Sequence, residues 1–379
     1  MKIKKILITI DWFLPGGLSG GPVRSYANLI EHLNDGFEFY ILTRNTDYGL
    51  VEPYKNIVPN TWVSYNAYTK IYYVSNDQLN KKHLKRVINQ TEFDIAYING
   101  IYSWYFSILP IVLLKNSKKP VIVSARGMLN PQAFSVKSLK KKIFLKAAKI
   151  FGLYNKVRFH ATNIDEANHI KTLIGYYVKI NVAPNLPRKQ KSENNLLKTK
   201  NEHVRFVNIA RIAVEKGTLT MLKALQCIKE PLIIDLFGPI YDTDYWEQCQ
   251  AVIKQLPEFI KVTYKGVLES ENVPKTLESY DFFVLFSEGE NFGHAILEAL
   301  SVGLPVLISN RTPWKNLEKQ HLGWDIDITN QDELIKNINI ALKMPDEVYV
   351  KWSQEAFMHA KAFIENPSVL KQNKALFLN

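Results

Sequence analysis

Short apolar runs rich in β-branched residues alternate along the chain with longer stretches whose apolar positions fall at helical spacing. The runs lie at 6–10, 38–42, 71–74, 94–98, 121–124 and 157–161. Such strand and helix alternation predicts a parallel sheet with helices on both faces. The pattern stops near 180–183, and the stretch that follows, "RKQKSENNLLKTKNEH", is polar enough to read as an exposed linker. It restarts at 204–210, 232–237, 262–264, 282–286 and 306–309. Two α/β domains joined near 185–203 are therefore expected. In open sheets of this kind ligands gather beyond the carboxyl ends of the strands, so the residues just past each strand are the informative ones.

A length of 379 residues suits two domains with substantial cores, and 46% hydrophobic with 22% charged residues suits a soluble globular chain. The start "MKIKKILITIDWF" has lysines before an apolar core, as a signal peptide does. Asp11 interrupts that core and no small-residue cleavage site follows, so the run is expected to be the first strand of a cytoplasmic protein. Cys227 and Cys249 are the only cysteines, too few for a disulfide framework and not spaced for zinc. The formal charge of +12 points to an anionic partner without choosing among nucleic acid, membrane surface and phosphorylated ligand.

Part of that charge sits in residues 137–158, "KSLKKKIFLKAAKIFGLYNKVR", which contain no acidic residue. At helical spacing Leu139, Ile143, Ala147 and Ile150 share a face flanked by Lys142, Lys146 and Lys149. Two readings stay open: a helix lying on an anionic membrane, or a surface helix whose apolar face packs on its own sheet.

Three segments carry candidate chemistry. After the first run comes "DWFLPGGLSGGPVRSYANLI", where Gly20 and Gly21 at a strand-to-helix turn would let backbone approach a phosphate. The glycine spacing fails the dinucleotide fingerprint, which speaks against a dehydrogenase. In "NIARIAVEKG", Arg211 and Lys216 follow a strand and suit a diphosphate, one as a fork and one as a point charge. In "SEGENFGHAILE" the Phe292-Gly293 pair predicts a helix starting near Gly293, with Glu290 in the loop and Glu298 in the second turn. On one helix the two glutamates would stand roughly 12 Å apart, too far to act as an acid/base pair on one atom. They are better suited to accept hydrogen bonds from two hydroxyl-bearing parts of one ligand, with the helix N-terminus favouring a phosphate between them. Glu288 reads as solvated. Each segment also has an ordinary reading: a glycine-rich loop, surface cations, and acids enriched in a first helical turn. "YDTDY", with Asp242 and Asp244, imitates a D-x-D metal motif, but no metal is expected, and the eight histidines form no H-E-x-x-H cluster.

Taken together, "ENFGHAILE" resembles the E-x7-E signature of retaining nucleotide-sugar glycosyltransferases of family 4, and "ARIAVEKG" their R-x4-K segment. "SGGP" with "VRSYANLI", "VAPN", "SARGML" and "RTPW" are similar to further family segments, especially in bacterial enzymes that build capsule or O-antigen. The resemblance implies a GT-B fold of two Rossmann-like domains with parallel sheets facing across a cleft: 1–185 on the acceptor side, 186–358 binding the donor, and 359–379 crossing back as a helix with a break at Pro367. It implies Glu290, Arg211, Lys216 and Arg126 as the catalytic set, and Glu298, Gly20, Gly21, Phe292, Gly293 and His294 as donor-binding. Many members place a histidine in the first domain. Here the corresponding strands lead into Ala125-Arg126-Gly127 and Asn99-Gly100, making Arg126 the expected substitute, with Asn99 also on the acceptor side. The implied activity needs neither metal nor cofactor. It moves a sugar from a UDP- or GDP-linked donor to a lipid-linked or oligosaccharide acceptor in the cytoplasm; under the membrane reading of 137–158 the protein would also sit peripherally on the inner face of the plasma membrane. Rivals are a GT-B sugar-nucleotide epimerase and a nucleic-acid binder. The basic charge, concentrated in one helix rather than interleaved with aromatics, makes nucleic acid the poorer fit.

Overall fold

The apolar runs become strands because alternate residues can be buried on opposite faces of a sheet that is covered on both sides. The computed structural model describes residues 3–135, 138–189 and 198–378. The chain divides into two units: Met1–Lys189 with Pro367–Asn379, and Gln190–Asn366.

The first unit holds β1 (Lys4–Thr9), β2 (Phe37–Arg44), β3 (Trp62–Asn66), β4 (Thr69–Val74), β5 (Ile95–Asn99), β6 (Val121–Ser124), β7 (Val157–Ala161) and β8 (Lys179–Val182). Their order is β3-β4-β2-β1-β5-β6-β7-β8. In β1, Ile6 and Ile8 pack with Val23, Tyr26 and Leu29 of the helix Gly21–His32, while Leu7 faces the core that contains Leu84, Leu109 and Leu145. The second unit holds β9 (Arg205–Ile209), β10 (Leu232–Phe237), β11 (Ile260–Gly266), β12 (Phe282–Leu285), β13 (Val306–Ser309) and β14 (Gly323–Ile326), in the order β11-β10-β9-β12-β13-β14. Phe206, Phe282 and Val284 face the helix Thr218–Leu225, and Val207, Phe283 and Leu285 face the helix His294–Ser301.

Two strands depart from the periodicity reading. β3 is a half-exposed edge strand, antiparallel to β4, so the first sheet is not wholly parallel. Its apolar content is too sparse for a buried-strand pattern. β14 is short and interrupted by Asp325; Gly323 enters it at φ 132, where a Cβ would meet the carbonyl oxygen of Val306 at 1.9 Å. Only glycine allows that approach.

The segment between β8 and the polar stretch is firmly tied to the first unit. Asn28 Nδ2 donates to the carbonyl of Leu186 at 3.0 Å, and His32 Nε2 contacts that of Pro187 at 2.9 Å. Asn373 Nδ2 donates to that of Pro184 at 2.8 Å. The middle of the expected linker, 190–197, lies outside the described residues. The helix Asp346–Ile364 stays within the second unit, and Pro367 opens the next helix, Pro367–Leu378, on the first, where a missing N–H costs nothing. There Phe377 packs against Phe37 and Tyr97, at ring-centroid distances of 5.7 and 5.3 Å.

The basic segment contains the helix Ser138–Ile150, with Lys137 outside the described residues. Gly152, at φ 56, ends it, with Leu153 N–H donating to the carbonyl of Ala148. Phe144, Leu145 and Ala148 turn inward onto the core. The row singled out by spacing is instead largely outward: Leu139, Ile143 and Ile150 are 70, 61 and 71% exposed, as is Phe151 at 75%, with Ala147 half-buried. The reading in which that row packs on its own sheet is therefore corrected, because a different face does so. No described helix is long and apolar enough to cross a membrane.

Phe377→Ala is expected to destabilise the first unit by about 3–5 kcal/mol. Denaturant titration should show the early unfolding of the Met1–Lys189 unit if Pro367–Leu378 completes its core.

Candidate functional site

In the second sheet the strand order reverses between β9 and β12, and such a switch point opens a crevice at the carboxyl ends of the two strands. β9 runs out into Arg211 and then a single 3-10 turn, Val214–Lys216, before Gly217 at φ 68 caps the helix Thr218–Leu225. A Cβ on Gly217 would lie 1.9 Å from the carbonyl oxygen of Phe286, at the end of β12. Glycine thus lets the two strand ends close on each other. Glu288 N–H donates to the carbonyl of Glu215 at 2.9 Å across the same seam.

Beyond β12 the chain turns through residues 287–292. Gly293, at φ 80 and ψ 61, then starts the helix His294–Ser301, and no side chain caps that N-terminus. The expected helix start is borne out: Glu290 is in the loop and Glu298 in the second turn. Lys216 Nζ and Glu290 Oε1 meet at 2.5 Å, with side-chain exposures of 15 and 14%. Arg211 pairs with Glu215 at 3.1 Å and lies over the Tyr241 ring, 4.8 Å from its centroid. Glu288 is not merely solvated. It pairs with Arg311, which follows the neighbouring strand β13, a partner too distant in sequence to be anticipated. Phe292 is buried against Trp314 and Phe363, and Trp314 Nε1 donates to the Phe292 carbonyl at 2.7 Å, fixing the turn from below. His294 packs edge-on to Phe292, their ring centroids 4.8 Å apart. Cations, carboxylates and a helix N-terminus thus converge at one switch point, an arrangement that can bind an anion and hydroxyl groups together.

The remaining expected residues belong to the first unit. Gly20, at φ 75, and Gly21 begin the helix Gly21–His32, and a Cβ at either would enter open space. Nearby, Asp47 Oδ2 accepts the N–H groups of Gly17 and Leu18 at 2.9 and 3.2 Å. Asn99 ends β5 with its side-chain oxygen buried and without a hydrogen-bond partner among the described residues. Arg126 occupies a left-handed turn at φ 52. Its guanidinium donates to Asn185 Oδ1 and, at 3.1 Å, to Tyr97 Oη, and it lies 4.6 Å from the Tyr26 ring centroid. Arg126 thus engages the interior of its own unit. His160 beside it donates through Nε2 to the carbonyl of Ala183 at 2.8 Å and receives the Tyr97 hydroxyl on Nδ1 at 2.6 Å. Burial, with the Arg126 charge, pushes the imidazole down to about 3.

Asp11 was not singled out for chemistry. It stands at the end of β1, accepting Ser103 Oγ at 2.7 Å with Arg44 Nε at 3.7 Å, and burial raises its carboxyl above the usual range. A single acid closing an apolar strand was the available signal. Asp242 caps the helix Thr243–Ile253 by accepting Tyr245 N–H at 2.9 Å, which accounts for its place in "YDTDY". Among the described residues no three His, Cys, Asp or Glu side chains gather in a metal-holding group.

Residues 188–358, nearly all of them in the second unit, match the family described as glycosyl transferases group 1. Among solved structures, the sucrose-phosphate synthase of Thermosynechococcus elongatus superposes with a TM-score of 0.73 at 15% identity, covering 98% of both chains. Anabaena HepE in complex with UDP-glucose gives 0.73 at 16% identity, covering 98% of this chain and 99% of that one. WaaG, a glycosyltransferase involved in lipopolysaccharide biosynthesis, gives 0.70 at 12%, covering 99 and 100%. The fold is therefore GT-B, as expected. The curated sulfoquinovosyl transferase SQD2 of Arabidopsis thaliana is 31% identical over 101 residues, 27% of this chain and 18% of that protein. The match thus spans less than a fifth of that relative.

Gly217→Ala is expected to cost roughly 1–3 kcal/mol through the forced clash with Phe286 and the positive φ, visible as a lowered melting temperature. For His160 the folded value lies below the unfolded 6.5, so the unfolded chain takes up its proton first as pH falls. The stability tied to neutral His160 is complete above pH 6.5 and is lost towards pH 3. Denaturant titrations between pH 7 and 4 should show a shallower decline in His160→Gln than in the parent.

Proposed function

We propose that the chain is a retaining, metal-independent glycosyltransferase that moves a sugar from a nucleoside diphosphate-sugar, UDP- or GDP-linked, to a lipid-linked or oligosaccharide acceptor in bacterial surface-polysaccharide synthesis. The observation that carries this reading is the meeting of Lys216 with Glu290 at the β9/β12 switch point, beside Arg211 and the helix that bears Glu298. The group 1 match over this unit supports it, as do the solved complexes of HepE with UDP and UDP-glucose and the lipopolysaccharide role of WaaG.

In this reading Glu298 accepts the ribose hydroxyls, Glu290 those of the donor sugar, and Arg211 and Lys216 hold the diphosphate, assisted by backbone N–H groups around Phe292, Gly293 and His294. In the first unit, Gly20 and Gly21 present open backbone suited to a phosphate at their strand-to-helix turn. Asn99 offers its unpartnered oxygen to an acceptor hydroxyl, and Arg126 holds Tyr97 and Asn185 in place within the unit. The bond from the anomeric carbon to the phosphate oxygen breaks as the acceptor oxygen attacks from the same face. The acceptor proton passes to the departing phosphate. Fixed cations stabilise the charge that develops there, so no metal and no protein nucleophile is required.

The exposed row Leu139, Ile143, Ile150 and Phe151, flanked by exposed Lys140, Lys142, Lys146 and Lys149, favours a further element: docking on the anionic inner face of the plasma membrane. Each lysine near such a surface contributes about 1 kcal/mol, and the apolar row supplies the inserted face.

Glu298→Ala should weaken donor binding severely, and Lys216→Ala should lower kcat by roughly 100-fold or more, both followed by release of nucleoside diphosphate from a panel of nucleotide-sugars. Near-normal turnover in both variants would remove the assignment. For docking, flotation with liposomes containing anionic lipid is expected for the parent and not for Ile143→Glu combined with Phe151→Glu; equal flotation, or indifference to anionic lipid, contradicts it.

A further inference from the structure

Around the switch point of the second unit, each cation named above has a carboxylate of its own: Arg211 with Glu215, Lys216 with Glu290, and Arg311 with Glu288. A crevice suited to a diphosphate is thus neutralised from within. The pairs differ in surroundings. Arg211 with Glu215 and Arg311 with Glu288 are a third or more exposed in at least one partner, whereas Lys216 and Glu290 are both largely withdrawn from water. Charges in such a setting interact strongly, and one left unpaired there is costly. Both partners are also held by the backbone. Lys216 N–H donates to the carbonyl of Ala213 at 2.9 Å, Gly217 is pinned under Phe286, and Glu290 N–H points to the carbonyl of Arg311 at 3.4 Å.

We infer that Glu290 makes the site distinguish the intact nucleoside diphosphate-sugar from the spent nucleoside diphosphate, by competing with the diphosphate for Lys216. The inference rests on the donor-binding reading above. A diphosphate that takes Lys216 leaves the Glu290 carboxylate unpaired beside an anion. The sugar of an intact donor relieves this, because its hydroxyls donate to the carboxylate. After transfer the sugar is gone, and the terminal phosphate gains charge, from about −1 to nearer −2. Glu290 then repels the product and pairs again with Lys216, which favours release. The same residue that orients the donor sugar thereby limits product inhibition.

The test is calorimetric titration of the full chain with UDP and GDP, and with UDP-glucose and a GDP-linked hexose. Glu290→Gln keeps size and hydrogen-bonding shape but removes the charge. It is expected to bind the nucleoside diphosphate about tenfold more tightly than the parent, while the affinity for the nucleotide-sugar stays level or falls. Glu290→Ala should show the same gain for the nucleoside diphosphate, which separates charge from any gain specific to glutamine. Lys216→Ala should weaken both ligands. If the parent binds UDP or GDP and neither Glu290 variant binds it more tightly, the inference is overturned while the donor reading stands. If none of the proteins binds any of these ligands, the donor reading fails and takes the inference with it.

Discussion

The carbonyl oxygen of Phe286 occupies the space that a side chain at residue 217 would need. This contact between the carboxyl ends of β9 and β12 is the constraint from which the rest of the second unit's site follows. It requires glycine, and it requires a left-handed turn that ends the Val214–Lys216 segment abruptly. The lysine just before that turn consequently meets a carboxylate in the loop following β12. Two charged groups separated by 74 positions in the chain are brought to 2.5 Å by one backbone approach.

A parallel sheet buried on both faces leaves little freedom for polar chemistry within its strands, so the chemistry collects where the strands end. In the second unit the adjacent strand ends supply Arg211 and Lys216, then Glu288 and Glu290, then Arg311. Trp314, sitting beneath the turn, couples the apolar core to the carbonyl of Phe292 and so to the start of the helix bearing Glu298. The first unit uses its strand ends differently. Asp11 and Arg126 follow β1 and β6, Asn99 closes β5, and Arg126 turns inward to contacts with Tyr26, Tyr97 and Asn185.

Much of this was legible in the chain. Continuous apolar runs mark the buried strands, and a glycine after a strand and before a helical pattern marks a phosphate-sized turn, so Gly293 and the placement of Glu290 and Glu298 were recoverable, whereas the close approach at Gly217 depends on Phe286, distant in sequence. β3 was not, because an exposed edge strand has no buried face to imprint a period. β14 was hidden by its brevity and by Asp325. The pairing of Glu288 with Arg311 and the inward turn of Arg126 depend on neighbours distant in sequence, and no local pattern encodes them. In the helix Ser138–Ile150 the spacing identified a real apolar row. Which of its faces packs was set by Phe144, Leu145 and Ala148, whose neighbours lie elsewhere in the first unit.

The central claim is that the β9/β12 switch point receives a nucleoside diphosphate-sugar. Backbone hydrogen exchange, compared with and without saturating UDP-linked and GDP-linked hexoses, tests it most directly. The account predicts that one of these ligands slows exchange in residues 211–218 and 287–298 together, since the diphosphate and the sugar would close over both strand ends. Protection absent from both segments, or appearing only in residues 3–135 and 138–189 under a ligand shown to bind, would contradict it.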